Sequence, residues 1–435
     1  MGKNNFRKIA TITLFESAVQ WYCFLLYGTA AGTVFHKVFF SQTGNGTTAL
    51  ILSYMSFAIG YIAGPFGAIF FGHIGDRKGR KVTMYASLLM MGISTSIIGI
   101  LPPAASAGVG VVIVLQLMRL AQCFGRGGTW GGGILMAYEN VPENKRSFYA
   151  AIPQIGLPIG FGLSSILIAV PTLLLPEDIF FTWGWRIPFL AAIILTLIVI
   201  RQKGEMMETE DYKKAQAKLE AEEAEGKKHK VGFIPMVKGY WKTLLLGCGT
   251  RWVDGTFYNI FIVWILSYCI NWLGMPLIQT YIITIIACIF KIPFTLFGGW
   301  CAQKLGNTRT FVIGALASAV LSIPTLKVIE LSKGNLAITI IGIVLGWSIA
   351  YNLIWAVLSS LWSSYFETEV RYSGISFVYH VPSFLVAGLV PTICTLLINY
   401  GKGNTIYVGI YSTVVALISA ACALALKARH DRGEK

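Results

Sequence analysis

A handful of ionisable side chains stand inside long apolar stretches of this chain. Arg119 and Arg126 interrupt the glycine-rich run LMRLAQCFGRGGTWGGG at 117–133, which holds no acid to pair with either. Arg251 and Asp254 lie three residues apart, Lys291 sits in CIFKIPF, His380 in FVYHV, Glu16 in LFESAV, and Glu139 follows the run that holds Arg126. In a bilayer such a side chain costs about 2.5–3.5 kcal/mol at mid-span, so each is a functional candidate. Guanidinium and ammonium groups recognise carboxylates, and an acid or an imidazole can carry a proton. Arg119 and Arg126 are two helical turns apart, on one face, about 10 Å along the axis.

The elements that must position them are membrane helices. Of 435 residues, 55% are hydrophobic and 13% charged, where a soluble domain has about 25% charged. Apolar stretches long enough to cross about 30 Å of hydrocarbon recur throughout. They predict an all-α integral membrane fold of twelve spans, at 9–35, 49–71, 82–101, 110–138, 148–171, 186–200, 243–270, 278–300, 311–329, 336–362, 373–398 and 405–426. Lys and Arg crowd alternate loops, among them the cluster Arg77, Lys78, Arg80 and Lys81, while the other loops hold few. The positive-inside rule then places both termini in the cytoplasm of a multi-pass protein of a bacterial or archaeal inner membrane. The net charge of +15 follows from this topology and is not a nucleic-acid footprint. Eight cysteines all fall in apolar segments without CxxC spacing; they read as small core residues, not as a disulfide framework or metal site. No nucleophile–base constellation suggests an enzyme.

Residues 201–242 form the one long polar stretch, rich in Ala, Glu and Lys. It reads as a charged cytoplasmic linker, partly helical, between a bundle at 1–200 and another at 243–435. The two halves echo one another: GHIGDRKGRK (72–81) has its counterpart in GWCAQKLGNT (299–308), and RSFYAAIPQIG (146–156) in RYSGISFVYHV (371–381). Paired repeats of this kind mark secondary transporters, with the substrate at the repeat interface near midplane. Glycines four apart, such as Gly60 and Gly64, or Gly156 and Gly160, suit close helix packing.

GHIGDRKGRK, with Asp76 and Arg80, resembles the loop motif of the major facilitator superfamily. WGGGILMAYENVP (130–142), FTWGWRIPF (181–189) and EVRYSGISFVYH (369–380) narrow the resemblance to the metabolite:proton symporter family. That family includes carriers for shikimate, α-ketoglutarate, proline and glycine betaine. The resemblance implies two pseudo-symmetric six-helix bundles, alternating access and a central cavity. Three departures matter. Span one reads QWYCF, with Gln20 and Cys23 where the family usually has acids. Thr129 replaces a third acid, and Arg126 stands where a small apolar residue is usual. Arg119 matches an arginine commonly present. His380 replaces a glutamine and corresponds roughly to Gln154 in the first repeat.

These residues define the expected site. Substrate contacts are assigned to Arg126, Lys291, Arg251, His380, Gln154, Gln20, Tyr22, Trp130, Asn259, Tyr351, Asn352, Trp355 and Tyr379, and coupling or gating to Asp254, Glu16, Arg119, Asp76, Arg80 and Glu139. Some carry a second reading. Arg251 and Asp254 could neutralise each other, Arg119 could brace helix carbonyls, and His380 could be a neutral donor. Trp21, Tyr258 and Trp347 could crowd the same centre. Missing acids and a gained arginine favour a small organic anion, moved by exchange or facilitated transport by a monomer in the lipid bilayer. The alternative is proton symport of a zwitterion or organic acid, using Asp254, Glu16 or His380. Neither needs a cofactor or a metal.

Overall fold

The computed structural model describes residues 3–78, 80–139, 141, 145–202, 233–367 and 370–434. Among these residues all regular elements are helical. Twelve long helices follow in order: α1 (Lys3–Thr33), α2 (Gly46–Lys78), α3 (Arg80–Ile100) and α4 (Val109–Glu139), then α5 (Arg146–Leu174), α6 (Glu177–Arg201), α7 (Met236–Asn271), α8 (Leu277–Leu305), α9 (Asn307–Leu331), α10 (Leu336–Ser363), α11 (Ser373–Tyr400) and α12 (Ile406–Asp431). Eleven have the length and apolar composition to cross a membrane; α1, with its basic start, is the twelfth.

The expected spans match these helices, although α1, α2, α8 and α12 run five to seven residues further at one end, and two starts differ more. Helix α6 starts at Glu177, because a π-helical stretch at Phe180–Gly184 carries the helix through the FTWGW segment. The helix of α7 begins at Phe233, ten residues before the expected span, and bends at Tyr240 (φ −115°, ψ 17°). Hydropathy registers only the part of a helix that lies in hydrocarbon, so polar extensions escape it. The remainder of the expected linker, 203–232, lies outside the described residues.

Close packing within the halves rests on glycine. A Cβ on Gly67 would collide with the Phe124 carbonyl, and one on Gly127 with the Ala68 backbone. This brings α2 and α4 into backbone contact. Between halves, α5 packs on α8 and α2 packs on α11, the same pairing twice under the repeat. Further cross-contacts join α1 to α7 and α4 to α11. Three more π-helical stretches, Asn259–Trp264, Val344–Ala350 and Phe384–Gly388, lie in α7, α10 and α11. The first two adjoin Tyr258 and Tyr351 and the third begins four residues after His380, so local widening of the helix falls near the buried charges. Large apolar side chains such as Phe66, Leu173 and Val320 face outward, as a lipid-facing surface requires.

Candidate functional site

Among the described residues the buried ionisable side chains of Asp, Glu, Lys, Arg and His are Glu16, Arg119, Arg126, Arg251, Asp254, Lys291 and His380. Most converge where the halves meet. Arg126 reaches from α4 across to α11, where its Nη2 donates to the Tyr379 hydroxyl. Its guanidinium carbon lies 3.8 Å from the Phe24 ring centre and 4.7 Å from Trp21. Tyr379 also holds Arg251, whose guanidinium carbon is 4.4 Å from the same ring. Arg251 pairs with Asp254 on its own helix, and the Tyr351 hydroxyl donates to the second oxygen of that carboxylate. The i,i+3 spacing and full burial make this a neutral pair. The reading that Arg251 and Asp254 satisfy one another holds, and Arg251 is correspondingly less available as an anion contact.

Lys291 lies on the far side of Tyr351, with Nζ 4.4 Å from that ring centre and 4.6 Å from Trp347. It donates to Asn352 Oδ1 at 3.0 Å and to the Trp347 carbonyl at 3.5 Å. Asn352 is fixed in turn: Thr295 Oγ1 donates to its Oδ1 at 3.1 Å, and its Nδ2 donates to the Lys291 carbonyl at 2.8 Å.

Aromatic side chains close the space between halves. The Tyr61 and Tyr258 hydroxyls share a hydrogen bond from α2 to α7. Trp21 meets Trp355 edge-on at 5.4 Å and Tyr258 at 6.2 Å. Trp355 and Gln154 bond reciprocally: the indole donates to the Gln154 carbonyl at 3.0 Å, and Gln154 Nε2 donates to the Trp355 carbonyl at 3.3 Å. Towards the face carrying the termini, Ser359 Oγ donates to the Ala150 carbonyl. Towards the opposite face, the Tyr54 hydroxyl donates to Ser267 Oγ at 2.7 Å and that of Tyr281 to Thr33 Oγ1 at 3.2 Å. Contacts therefore bridge the halves on both sides of the buried charges.

His380 and Gln154, expected to correspond roughly in the two repeats, each meet the other half. His380 packs against α2, where its Nδ1 lies 2.9 Å from the position of a Cβ on Gly64. Gln20 is buried beside Trp21.

Several expectations are corrected. Tyr22 turns into the N-terminal bundle, where its hydroxyl donates to the Pro188 carbonyl at 2.5 Å; residue 21 of the same turn takes the interface instead. Arg119 braces carbonyls and lies away from the interface. Its Nε and Nη2 each donate to the Phe57 carbonyl at 3.4 Å and Nη1 donates to Gln122 Oε1. Phe24, Tyr27 and Phe57 surround it at 4.4–4.7 Å. Asn259 donates to the Gly255 carbonyl of its own helix at 2.8 Å. Glu16 is buried on α1, one turn before Gln20. Asp76, Arg80, Trp130 and Glu139, with Thr129, have side chains outside the described residues. Phe24, Tyr61 and Thr295 belong to the cluster without having been singled out from sequence. Each looks like any other apolar or hydroxyl residue of its span until the neighbouring helix is in place. Among the described residues no group of three His, Cys, Asp or Glu side chains could hold a metal ion.

Several buried donors have no acceptor among the described residues: Nε1 of Trp21 and of Trp347, Nε2 of Gln20, and Nε and Nη2 of Arg251. Indole and guanidinium nitrogens donate only. Asn259 Oδ1 is a buried acceptor likewise without a partner among the described residues, but the donors just named outnumber it, and the buried cations Arg119, Arg126, Arg251 and Lys291 outnumber the carboxylates Glu16 and Asp254.

Comparison with known proteins follows the same lines. The model of the Major Facilitator Superfamily matches residues 21–391. The chain is 33% identical over 435 residues to the inner membrane metabolite transport protein YhjE of Escherichia coli K12, covering 98% of this chain and 96% of that one. It is 31% identical over 428 residues to the shikimate transporter of the same strain, covering 97% and 94%. A partially occluded inward-open structure of the xylose transporter XylE from E. coli superposes with a TM-score of 0.74 at 15% identity, over 97% of both chains; at that identity the likeness concerns the fold.

Proposed function

This chain belongs to the Major Facilitator Superfamily, as a multi-pass integral membrane transporter and not an enzyme, and we propose that it moves a small organic anion by alternating access. The anion is a mono- or dicarboxylate, bound at Arg126 with Lys291 or Arg251 assisting. The observation that carries this reading is the charge at the interface of the halves: Arg126, Arg251 and Lys291 against Asp254. Buried donors that lack acceptors support it, since a carboxylate supplies acceptors and negative charge together.

Exchange or facilitated transport is favoured over proton symport. A positive site resists reorienting through a low-dielectric interior when empty, and a bound anion removes that resistance. Movement is thereby tied to occupancy. The bundles at 1–200 and 243–435 rock about the site. The membrane is a bacterial or archaeal inner membrane, as in the name of the E. coli relative, and both termini face the cytoplasm by the distribution of Lys and Arg among the loops. The functional unit is a monomer. The second reading, proton-coupled symport of a zwitterion or organic acid, draws on one observation: the buried Asp254 carboxylate is held by Arg251 and Tyr351 and could bind a proton when they move. It is also in keeping with relatives named as shikimate and proline/betaine transporters.

Purified protein in proteoliposomes, tested with a panel of carboxylates while counter-substrate and pH gradient are varied separately, distinguishes the two. Acceleration by internal anion without response to the pH gradient is expected. Arg126→Ala should abolish transport and keep its elution profile in detergent. Full anion counterflow by that stable variant would overturn the assignment.

A further inference from the structure

The anion reading leaves open whether one end of the substrate is held or two. We propose that Lys291 and Trp347 form a second carboxylate subsite in the C-terminal half, so that the transported anion is a dicarboxylate with one end in each half. The inference rests on the anion-carrier reading and sharpens it.

Lys291 is fully buried, yet both acceptors it meets, Asn352 Oδ1 and the Trp347 carbonyl, are neutral. An ammonium has three donors, so one direction remains for an acceptor that also brings charge. Beside it stands the indole of Trp347, buried, whose N–H has no acceptor among the described residues. Nζ stands over the Trp347 ring, 4.6 Å from its centre, and a carboxylate has two oxygens, one for the ammonium and one for the indole N–H. The subsite is built rather than incidental. Asn352, clamped by Thr295 Oγ1 and by the Lys291 carbonyl, fixes where the ammonium sits. Trp347 packs edge-on at 6.1 Å against Phe161 of α5, which puts the subsite at the interface of the halves.

Arg251 does not serve as this second pole, because Asp254 already neutralises it. Nor do Arg126 and Lys291 converge on one point. Between them run Tyr379, Arg251, Asp254 and Tyr351, in contact one after another. A single carboxylate does not span that series. A molecule with carboxylates at both ends, long enough to pass those side chains, meets both cations, with one end at Arg126 and the free indole N–H of Trp21 and the other at Lys291 and Trp347. Each half then contributes one cation and one indole. Bound substrate becomes the link that draws the halves together.

The test uses the full-length carrier in detergent, titrated with straight-chain dicarboxylates from succinate to suberate, their monoamides, and butyrate. Binding is read by tryptophan fluorescence and by thermal shift, and counterflow of the same compounds is measured in proteoliposomes. Dicarboxylates should bind at least about ten-fold more tightly than the monoamides, since the amide loses the charge that Lys291 meets. Lys291→Met should bring that ratio to about one. Trp347→Phe, which keeps the ring and removes only the N–H, should reduce it in the same direction and remains informative if Lys291→Met does not fold. A ratio near one in the native protein, or a ratio unchanged in both variants, overturns the second subsite while binding of any carboxylate keeps the anion-carrier reading. Failure of every carboxylate to bind or exchange overturns both.

Discussion

Arg126 on α4 and Tyr379 on α11 are 253 residues apart and joined by a hydrogen bond from guanidinium to hydroxyl. The bond crosses from one half of the transporter to the other. The same tyrosine ring faces Arg251, so one side chain relates the charge of the N-terminal half to the ion pair of the C-terminal half. Tyr379→Phe keeps the ring and deletes the hydroxyl. A hydrogen bond to a charged group contributes about 1.5–3 kcal/mol, so initial transport rates should fall by about ten-fold or more. Rates equal to those of the native protein would show that the bond has no part in transport.

The Arg251–Asp254 pair calls for a different outcome. Asp254→Asn leaves a buried guanidinium without its counter-charge, at a cost of about 3–5 kcal/mol. The double variant Arg251→Met, Asp254→Leu removes both charges and should recover most of the lost thermal stability in detergent. An Asp254→Asn protein as stable as the native one would contradict the pairing as a stability element.

Arg119 should behave as a bracing residue. Arg119→Met leaves the buried Gln122 Oε1 without its donor and strips the added bonds from the helical Phe57 carbonyl, and should cost about 1–3 kcal/mol. The substrate concentration for half-maximal transport by the folded fraction should move by less than about three-fold. A large change in that concentration with unchanged stability would move Arg119 into the substrate site.

Gly64 should be intolerant of a methyl group. Alanine there places Cβ 2.9 Å from His380 Nδ1, closer than packed atoms allow, and obstructs closure of α2 on α11. Transport by Gly64→Ala should drop several-fold, and His380→Ala in the same chain should restore part of it. No restoration would mean that the obstruction lies elsewhere.

His36, in the turn after α1, supplies a pH dependence of stability. Burial first, and Lys37 next, hold its imidazole down from 6.5 to about 4. The unfolded chain then takes up this proton before the folded one does. Stability from the neutral ring is complete above pH 6.5 and is lost as pH falls towards 4. His36→Gln should flatten the decline of the melting temperature in that window, and an unchanged decline would assign it to other groups.

The local features were legible in the sequence for local reasons. A run of about 20 apolar residues declares a span by itself. Repeated loop motifs declare the two halves, and residues three apart on one helix declare the Arg251–Asp254 pair. The missing acids of QWYCF and the added Arg126 gave the anion reading without any coordinates. What only the tertiary structure decided is which neighbours these groups meet across helices. Phe24 lies within 4.5 Å of both the Arg119 and the Arg126 guanidinium carbons, yet one arginine is braced inside a bundle and the other reaches the opposite half. Tyr22 and Trp21 are adjacent in sequence and face different surroundings. Lys291 acquires its neutral acceptors from α10, 56 to 61 residues away. A helix fixes the direction of each side chain by its own period, but the partner in that direction is set by the packing of another helix, and that packing is the sum of many weak contacts no single stretch of sequence contains.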